Sequence, residues 1–261
     1  MINLNVLAIG DVVAQVGSNF LRSNLHKIKK EYKIDLVIAN GENSAEGNGI
    51  TPFSADFLIS SGVDVITTGN HAFKRREIYD YFDNHEFIVR PLNFPKNTTP
   101  GNGYCEIDLL KYKVIVVNLM GNVYMENHLE CPFRSMDKLL DNLNEKDIVI
   151  VDFHAEATSE KEAMGFYLDG KVSAMFGTHT HVATADECIL KNGTGYITDV
   201  GMTGPIDSVI GVKPKCIIDR LKNKLPTKFE VATGKCKMEC ILFTINEQTK
   251  KTEAINRLTF T

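Results

Sequence analysis

Val172-Ser173-Ala174-Met175-Phe176-Gly177-Thr178-His179-Thr180-His181 is an apolar run of strand type that ends in two imidazoles at i and i+2. At a strand end such a pair projects in related directions, and each neutral ring nitrogen can hold a cation. Two histidines do not complete a metal site, so further donors must stand at other strand ends. Outward from this fragment, four more apolar runs end in donors. Residues 5–9 lead into Gly10-Asp11, and residues 35–39 lead into Asn40-Gly41-Glu42-Asn43. Residues 63–66 lead into Thr67-Thr68-Gly69-Asn70-His71, and residues 147–151 into Asp152-Phe153-His154. In an α/β sheet the carboxyl ends of the strands form one rim, where ligand sites gather.

Helical patterns separate the early runs. Leu21, Leu25, Ile28 and Tyr32 recur at helical spacing within 17–32, and Thr51-Pro52 reads as a cap and first helical residue before Phe53, Phe57 and Leu58. Residues 74–82 read as a further short helix before the strand-like Phe87-Ile88-Val89. This alternation predicts parallel strands with right-handed crossovers. The middle and end of the chain read differently. Residues 103–110 and 113–119 form a predicted hairpin across Lys111-Tyr112, residues 187–190 and 194–198 a second across Lys191-Asn192-Gly193, and residues 237–245 and 252–259 a third. Helices are expected over 136–143 and 159–168, the latter with Thr158 or Ser159 as cap. The fold class expected is α/β, a sandwich of two mixed β-sheets flanked by helices. No repeat or linker interrupts the sequence, so a single domain over 1–261 is expected.

The net charge of −4 and a charged fraction of 24% carry no basic run dense enough to signal nucleic-acid binding. A phosphate-bearing substrate must then be attracted locally, and a metal centre supplies that charge. No apolar stretch approaches the ~18 to 20 residues of a membrane span, so no membrane partner is expected. The start Met1-Ile2-Asn3-Leu4-Asn5 lacks the basic region of a secretion signal. The six cysteines form no CxxC pair, which predicts reduced thiols and a cytoplasmic protein.

The candidate metal ligands are Asp11, Glu42, Asn43, Asn70, His154, His179 and His181, with His71 beside them. Each has an ordinary reading when taken alone. Asp11 reads as a cap or turn residue, Glu42-Asn43 as solvated turn, Asn70-His71 as a tight turn, His154 as a satisfied histidine, and the paired histidines as loop caps. Their joint occurrence at successive strand ends favours a metal. Nitrogen and oxygen donors without thiolate suit Mn, Fe or Zn. Seven are too many for one ion but suit two that share a carboxylate. Two ions ~3.5 to 4 Å apart hold the attacking and leaving oxygens of an in-line phosphoryl transfer.

The order and spacing of these pieces resemble the calcineurin-like two-metal phosphoesterase superfamily: Gly-Asp first, then Gly-Asn-His, a later lone His, and a final Gly-x-His-x-His. Residues 39–43, His154-Ala155-Glu156-Ala157-Thr158-Ser159-Glu160-Lys161, residues 177–182 and Thr198-Asp199-Val200-Gly201-Met202-Thr203-Gly204-Pro205 narrow it further. They resemble the bacterial branch of cyclic-nucleotide phosphodiesterases acting on 2′,3′- and 3′,5′-cyclic monophosphates. The resemblance implies a four-layer αββα fold and hydrolysis by in-line attack of a metal-bridging hydroxide. It implies one ion on Asp11, Glu42, Asn43 and His181 and another on Glu42, Asn70, His154 and His179, with iron or manganese the usual metals. His71 is the implied proton donor to the leaving oxygen. The superfamily's commoner Asp-x-His is absent at Asp11-Val12-Val13, a departure the branch shares. Ala14 stands where the branch has glycine, which costs little if its φ is negative. The substrate expected is a small phosphate ester, and assembly into a homo-oligomer is compatible with the chain. Alternatives are a phosphomonoesterase or nuclease on the same residues, or a regulatory or RNA-processing partner protein whose metal is secondary.

Overall fold

Apolar strands covered on both faces organise the chain, in a computed structural model that describes residues 3–109 and 112–261. The first sheet has seven strands. Along it run β2 (Asp11–Val12), β11 (Met202–Pro205), β12 (Cys236–Asn246), β1 (Asn3–Ile9), β3 (Leu36–Asn40) and β4 (Val65–Thr67), while β13 (Thr252–Phe260) also pairs with β12. The second sheet has six strands in the order β5 (Tyr104–Asp108), β6 (Lys113–Met120), β7 (Ile148–His154), β8 (Ala174–Thr178), β10 (Gly195–Ile197) and β9 (Cys188–Ile189).

Alternation along each strand builds the layers, because successive side chains point to opposite faces. In β1, Val6 and Ala8 face the other sheet and meet Val114, Val116, Ile148, Ile150 and Phe176. Leu7 and Ile9 face outward, onto Leu21, Leu25 and Ile28 of α1 (Ala14–Glu31) and Leu58 of α2 (Pro52–Ser60). On the far side, Ile115, Val117, Val149 and Val151 pack under Met136 and Leu139 of α4 (Pro132–Leu140) and Met164 and Leu168 of α5 (Thr158–Leu168). Strands with both faces buried read as continuous apolar runs, which is why periodicity alone revealed them without revealing their faces. The architecture is the expected αββα sandwich of two mixed sheets.

Several local expectations are refined. Early and late strands do not form separate sheets: β1 lies between parallel β3 and antiparallel β12, so both ends of the sequence share one sheet. Phe87-Ile88-Val89 contributes one bridge, Ile66 to Ile88, rather than a strand. The 74–82 segment is a turn of 3-10 helix (Arg76–Ile78) running into α3 (Tyr79–Asn84). Helix α4 starts at Pro132, ahead of the expected 136, because proline is pre-set for a first helical turn. Thr51 caps α2 as expected, in a reciprocal pair with Ser54. Helix α5 has Ala157 at its cap position and makes no side-chain cap bond. The predicted hairpin of β5 and β6 is present, though Leu110 and Lys111 of its turn lie outside the described residues, as do Met1 and Ile2. Of the histidines expected in solvent, His26 and His128 are exposed, whereas His85 is half-buried and stacks on Tyr81 with ring centroids 3.8 Å apart. Three elements were not expected: the two-residue β2, β11, in a stretch read as turn or pocket wall, and α6 (Pro214–Asn223).

Ala14 does not meet the condition of a negative φ. Its φ is +52°, and it is buried. A non-glycine residue in the left-handed region costs about 1–2 kcal/mol. The Ala14 N–H donates to the Asn43 carbonyl at 2.8 Å, which ties the start of α1 to the loop after β3.

Candidate metal centre

The carboxyl ends of parallel strands from both sheets meet at one end of the sandwich. Asp11 follows β1, Glu42 and Asn43 follow β3, and Asn70 and His71 follow β4. From the other sheet, His154 ends β7, and His179 and His181 follow β8. All seven sequence-predicted donors, with His71, converge across the seam. Glycine permits the closest approach: a Cβ on Gly69 would run into the His154 ring and the Glu42 carboxylate.

The contacts fall into two groups that share Glu42. In one, His154 Nε2 lies 2.9 Å from Asn70 Oδ1, 3.1 Å from His179 Nδ1 and 3.4 Å from Glu42 Oε1. The ligand atoms of Glu42, His154 and His179 all lie within 4.8 Å of one another. In the other, the Asn43 amide is 3.5 Å from Asp11 Oδ1, 3.3 Å from His181 Nε2 and 3.1 Å from Glu42 Oε1. His181 Nε2 stands 3.5 Å from Asp11 Oδ1. A half-turn of the Asn43 carboxamide exchanges its isosteric oxygen and nitrogen and gives that group a third acceptor. His71 Nδ1 is 3.1 Å from Glu42 Oε1 and 3.0 Å from Asn43 Oδ1, and its backbone N–H donates to Glu42 Oε2 at 2.9 Å.

The donor set fits two hard-to-borderline cations. The ring nitrogens that face away from the cluster are engaged, which leaves the others free for ions. His154 Nδ1 pairs with Thr178 Oγ1 at 2.9 Å, and His181 Nδ1 donates to the Ile210 carbonyl at 3.1 Å. His179 Nε2 meets the Glu156 carboxylate at 3.0 Å. Such outer partners fix the tautomer and orientation of a ligating histidine.

Charge is concentrated here. Burial alone would raise the Glu42 carboxyl, but His154 and His71 hold it well below the usual range. Burial likewise opposes Asp11, which His181 and His154 nevertheless pull down. Burial opposes a proton on His154, yet Glu42 and Asp11 push it up to about 9. Burial, reinforced by the charge on His154, drives His179 down to about 4. An incoming cation must therefore displace the His154 proton. Ion affinity is expected to rise with pH and to level off above about 9. Titration calorimetry in buffers of different ionisation enthalpy reads this directly; a pH-independent affinity would contradict it.

Behind the candidate ligands lies a buried polar layer that the sequence left unassigned. Asp152 Oδ1 accepts from Thr178 Oγ1 at 2.7 Å, and its Oδ2 accepts from Thr67 Oγ1 at 2.5 Å and Asn40 Nδ2 at 3.1 Å. The chain Asp152–Thr178–His154 thus orients the His154 ring. Burial pushes the Asp152 carboxyl up to about 6. A second device sits beneath the double histidine. Lys161 Nζ, fully buried, donates to Asp199 Oδ2 at 2.6 Å and to the Thr178 carbonyl at 2.8 Å. The same Asp199 oxygen accepts from Thr180 Oγ1 at 2.8 Å. These contacts hold a strained segment, since His179 has φ +101° and His181 φ +63°. Strain of this kind persists only where the surroundings over-determine it, and it concentrates at functional sites. A signal was present: Asp152 is a carboxylate inside an otherwise apolar strand, where an unpartnered charge is too costly to bury. Asp152→Asn keeps the shape but places an amide N–H where a hydroxyl now donates. It is expected to weaken metal affinity by roughly 10–100-fold while the protein still folds. Competition with a chromophoric chelator measures this; unchanged affinity would exclude the orienting chain.

Known proteins share this fold and much of this sequence. The chain is 44% identical over 256 residues to the 2′,3′-cyclic-nucleotide 2′-phosphodiesterase of Bacillus subtilis, covering 98% of this chain and 96% of that one. A crystal structure described as a novel phosphatase from Mycoplasma pneumoniae superposes with a TM-score of 0.94 at 35% identity, covering 100% of this chain and 94% of the other. A hypothetical protein from Thermus thermophilus superposes at 0.92 with 40% identity, covering 98% and 99%. The model of the YmdB-like protein family matches residues 7–258. By that match and these relatives, the chain belongs to the YmdB-like family and is an enzyme of the metallophosphoesterase fold.

Proposed function

We propose that this protein, acting as one domain, hydrolyses small cyclic nucleotides, 2′,3′-cyclic and also 3′,5′-cyclic monophosphates, at a dinuclear centre. The observation that carries the reading is the two-group convergence around Glu42, joined to the activity for which the Bacillus subtilis relative is named. Asp11, Asn43 and His181 would hold one ion, Asn70, His154 and His179 the other, and Glu42 both. The ions, iron or manganese, supply positive charge for the phosphate and an activated water for in-line displacement. The side chains do the rest. Thr178 and Ile210 fix which nitrogens face the centre. Gly69 lets the Asn70-His71 loop close onto Glu42. His71, whose side chain is 26% exposed, is anchored through Nδ1 and would pass a proton to the departing ribose oxygen. Six unpaired cysteines support a reducing, cytoplasmic setting.

Metal analysis of the purified protein with rates on 2′,3′-cyclic AMP, a simple monoester and single-stranded RNA tests the proposal. Two ions per chain and fastest turnover of the cyclic nucleotide are expected. Faster cleavage of the monoester or of RNA would move the assignment to a phosphomonoesterase or a nuclease.

A further inference from the structure

Between β11 and β12 the chain leaves the sandwich as an arm, residues 206–235, whose base reaches the metal centre through the Ile210 carbonyl. The arm closes on itself through the Val212–Val231 bridge and the Lys213 N–H to Glu230 carbonyl bond. Its helix α6 buries none of its ten residues. Ile218 is 56% exposed and Leu221 62%, one turn apart on the helix, and Leu225 (65%) and Phe229 (43%) follow just beyond it. Residues 213–231 carry six Lys or Arg against two Asp or Glu, in a chain of net charge −4. Both acids are engaged locally, Glu230 by Lys213 and Asp219 by Lys215, each at 2.7 Å. Arg220 lies over the Phe229 ring at 4.9 Å, and Lys222, Lys224 and Lys228 are exposed; among the described residues none of the four forms a close ion pair, and Lys228 acts on Glu230 only at longer range.

We propose that this arm docks on an anionic phospholipid surface, with Ile218, Leu221, Leu225 and Phe229 entering the acyl boundary and Arg220, Lys222, Lys224 and Lys228 meeting the headgroups. Two features together select the occupant. Four cations without close ion pairs favour a negatively charged surface, which a second copy of the same basic arm is not. Exposed aliphatic side chains require an apolar layer directly beneath that charge. A nucleic acid offers phosphates and base faces but nothing for isoleucine or leucine to enter. A headgroup layer over acyl chains offers both, and a basic amphipathic helix with a polar face and a short apolar one lies flat in that interface. Such docking needs no spanning segment, and among the described residues no helix is long and apolar enough to cross a membrane. The proposal is independent of the substrate and of the metal ligands.

Flotation of the full-length protein with phosphatidylcholine vesicles, with and without phosphatidylglycerol, is the test. Binding is expected only to the phosphatidylglycerol vesicles and is expected to weaken with salt. Lys222→Glu combined with Lys224→Glu and Lys228→Glu is expected to lower partition by roughly a hundredfold or more, since each cation near an anionic surface is worth roughly fivefold. Ile218→Asp with Leu221→Asp is expected to abolish flotation while leaving the circular-dichroism melt and the hydrolysis of a soluble cyclic nucleotide unchanged, because neither residue is buried. No flotation of the parent protein, or flotation untouched by the aspartate pair, overturns the proposal. So does RNA binding that needs the lysines but not Ile218 and Leu221, or concentration-dependent self-association that the aspartate pair removes.

Discussion

Glu42→Gln is expected to strip at least one ion from the protein and to lower cyclic-nucleotide turnover by roughly a thousandfold or more, the loss that follows when several kcal/mol of charge stabilisation disappear. Glu42 is the donor within reach of both groups, 3.4 Å from His154 and 3.1 Å from the Asn43 amide. A carboxamide keeps the shape but loses the negative charge that can serve two cations. The substitution also removes the main support for a proton on His154, so that ring is expected to turn neutral rather than remain a buried unpaired charge. The fold should therefore survive, which a circular-dichroism melt on the same sample checks. Elemental analysis and steady-state rates give the two readouts. If the metal content and the turnover both persist, the dinuclear hydrolase reading fails, and a regulatory protein with an incidental site becomes the better account.

His71→Ala should behave differently. Metal content is expected to remain, because His71 stands outside both groups and touches Glu42 and Asn43 from one side. Turnover of 2′,3′-cyclic AMP, whose leaving alkoxide needs a proton, is expected to fall by roughly 10²–10⁴-fold. A nitrophenyl phosphodiester expels a stable phenolate and should lose far less. The ratio between the two substrates is the decisive quantity. Equal losses would mean that His71 acts through positioning of Glu42 rather than as a proton donor.

The rim of the fold was more legible than its layers. Apolar runs ending in Asp11, Glu42, Asn70, His154 and His179 could be read because a strand buried on both faces is apolar throughout and a ligand at its end is not. The same uniformity hid which face meets the other sheet, as the interleaved Val6 and Leu7 show. Strand partners also escaped, since β1 pairs with β12 across more than two hundred residues and nothing local encodes that register. The layer behind the metal ligands went unassigned for a related reason. Thr178, Lys161 and Asp199 are ordinary residues until the fold buries them together. Nothing in an alanine announces the positive φ of Ala14, whose N–H donates to the Asn43 carbonyl in a loop distant in sequence.

The placement of β12 bears on the order in which a growing chain can be completed. Strands β5 to β10 occupy residues 104–197 without interruption, so the second sheet has all its partners while later residues are still being added. The first sheet has not: β1 lacks one neighbour until residues 236–246 leave the ribosome. His181 waits on Ile210, whose carbonyl its Nδ1 meets, and Asp11 waits on β12, since the Gly10 N–H beside it donates to the Glu239 carbonyl. The centre therefore takes its final shape only once the closing strands of the first sheet are in place.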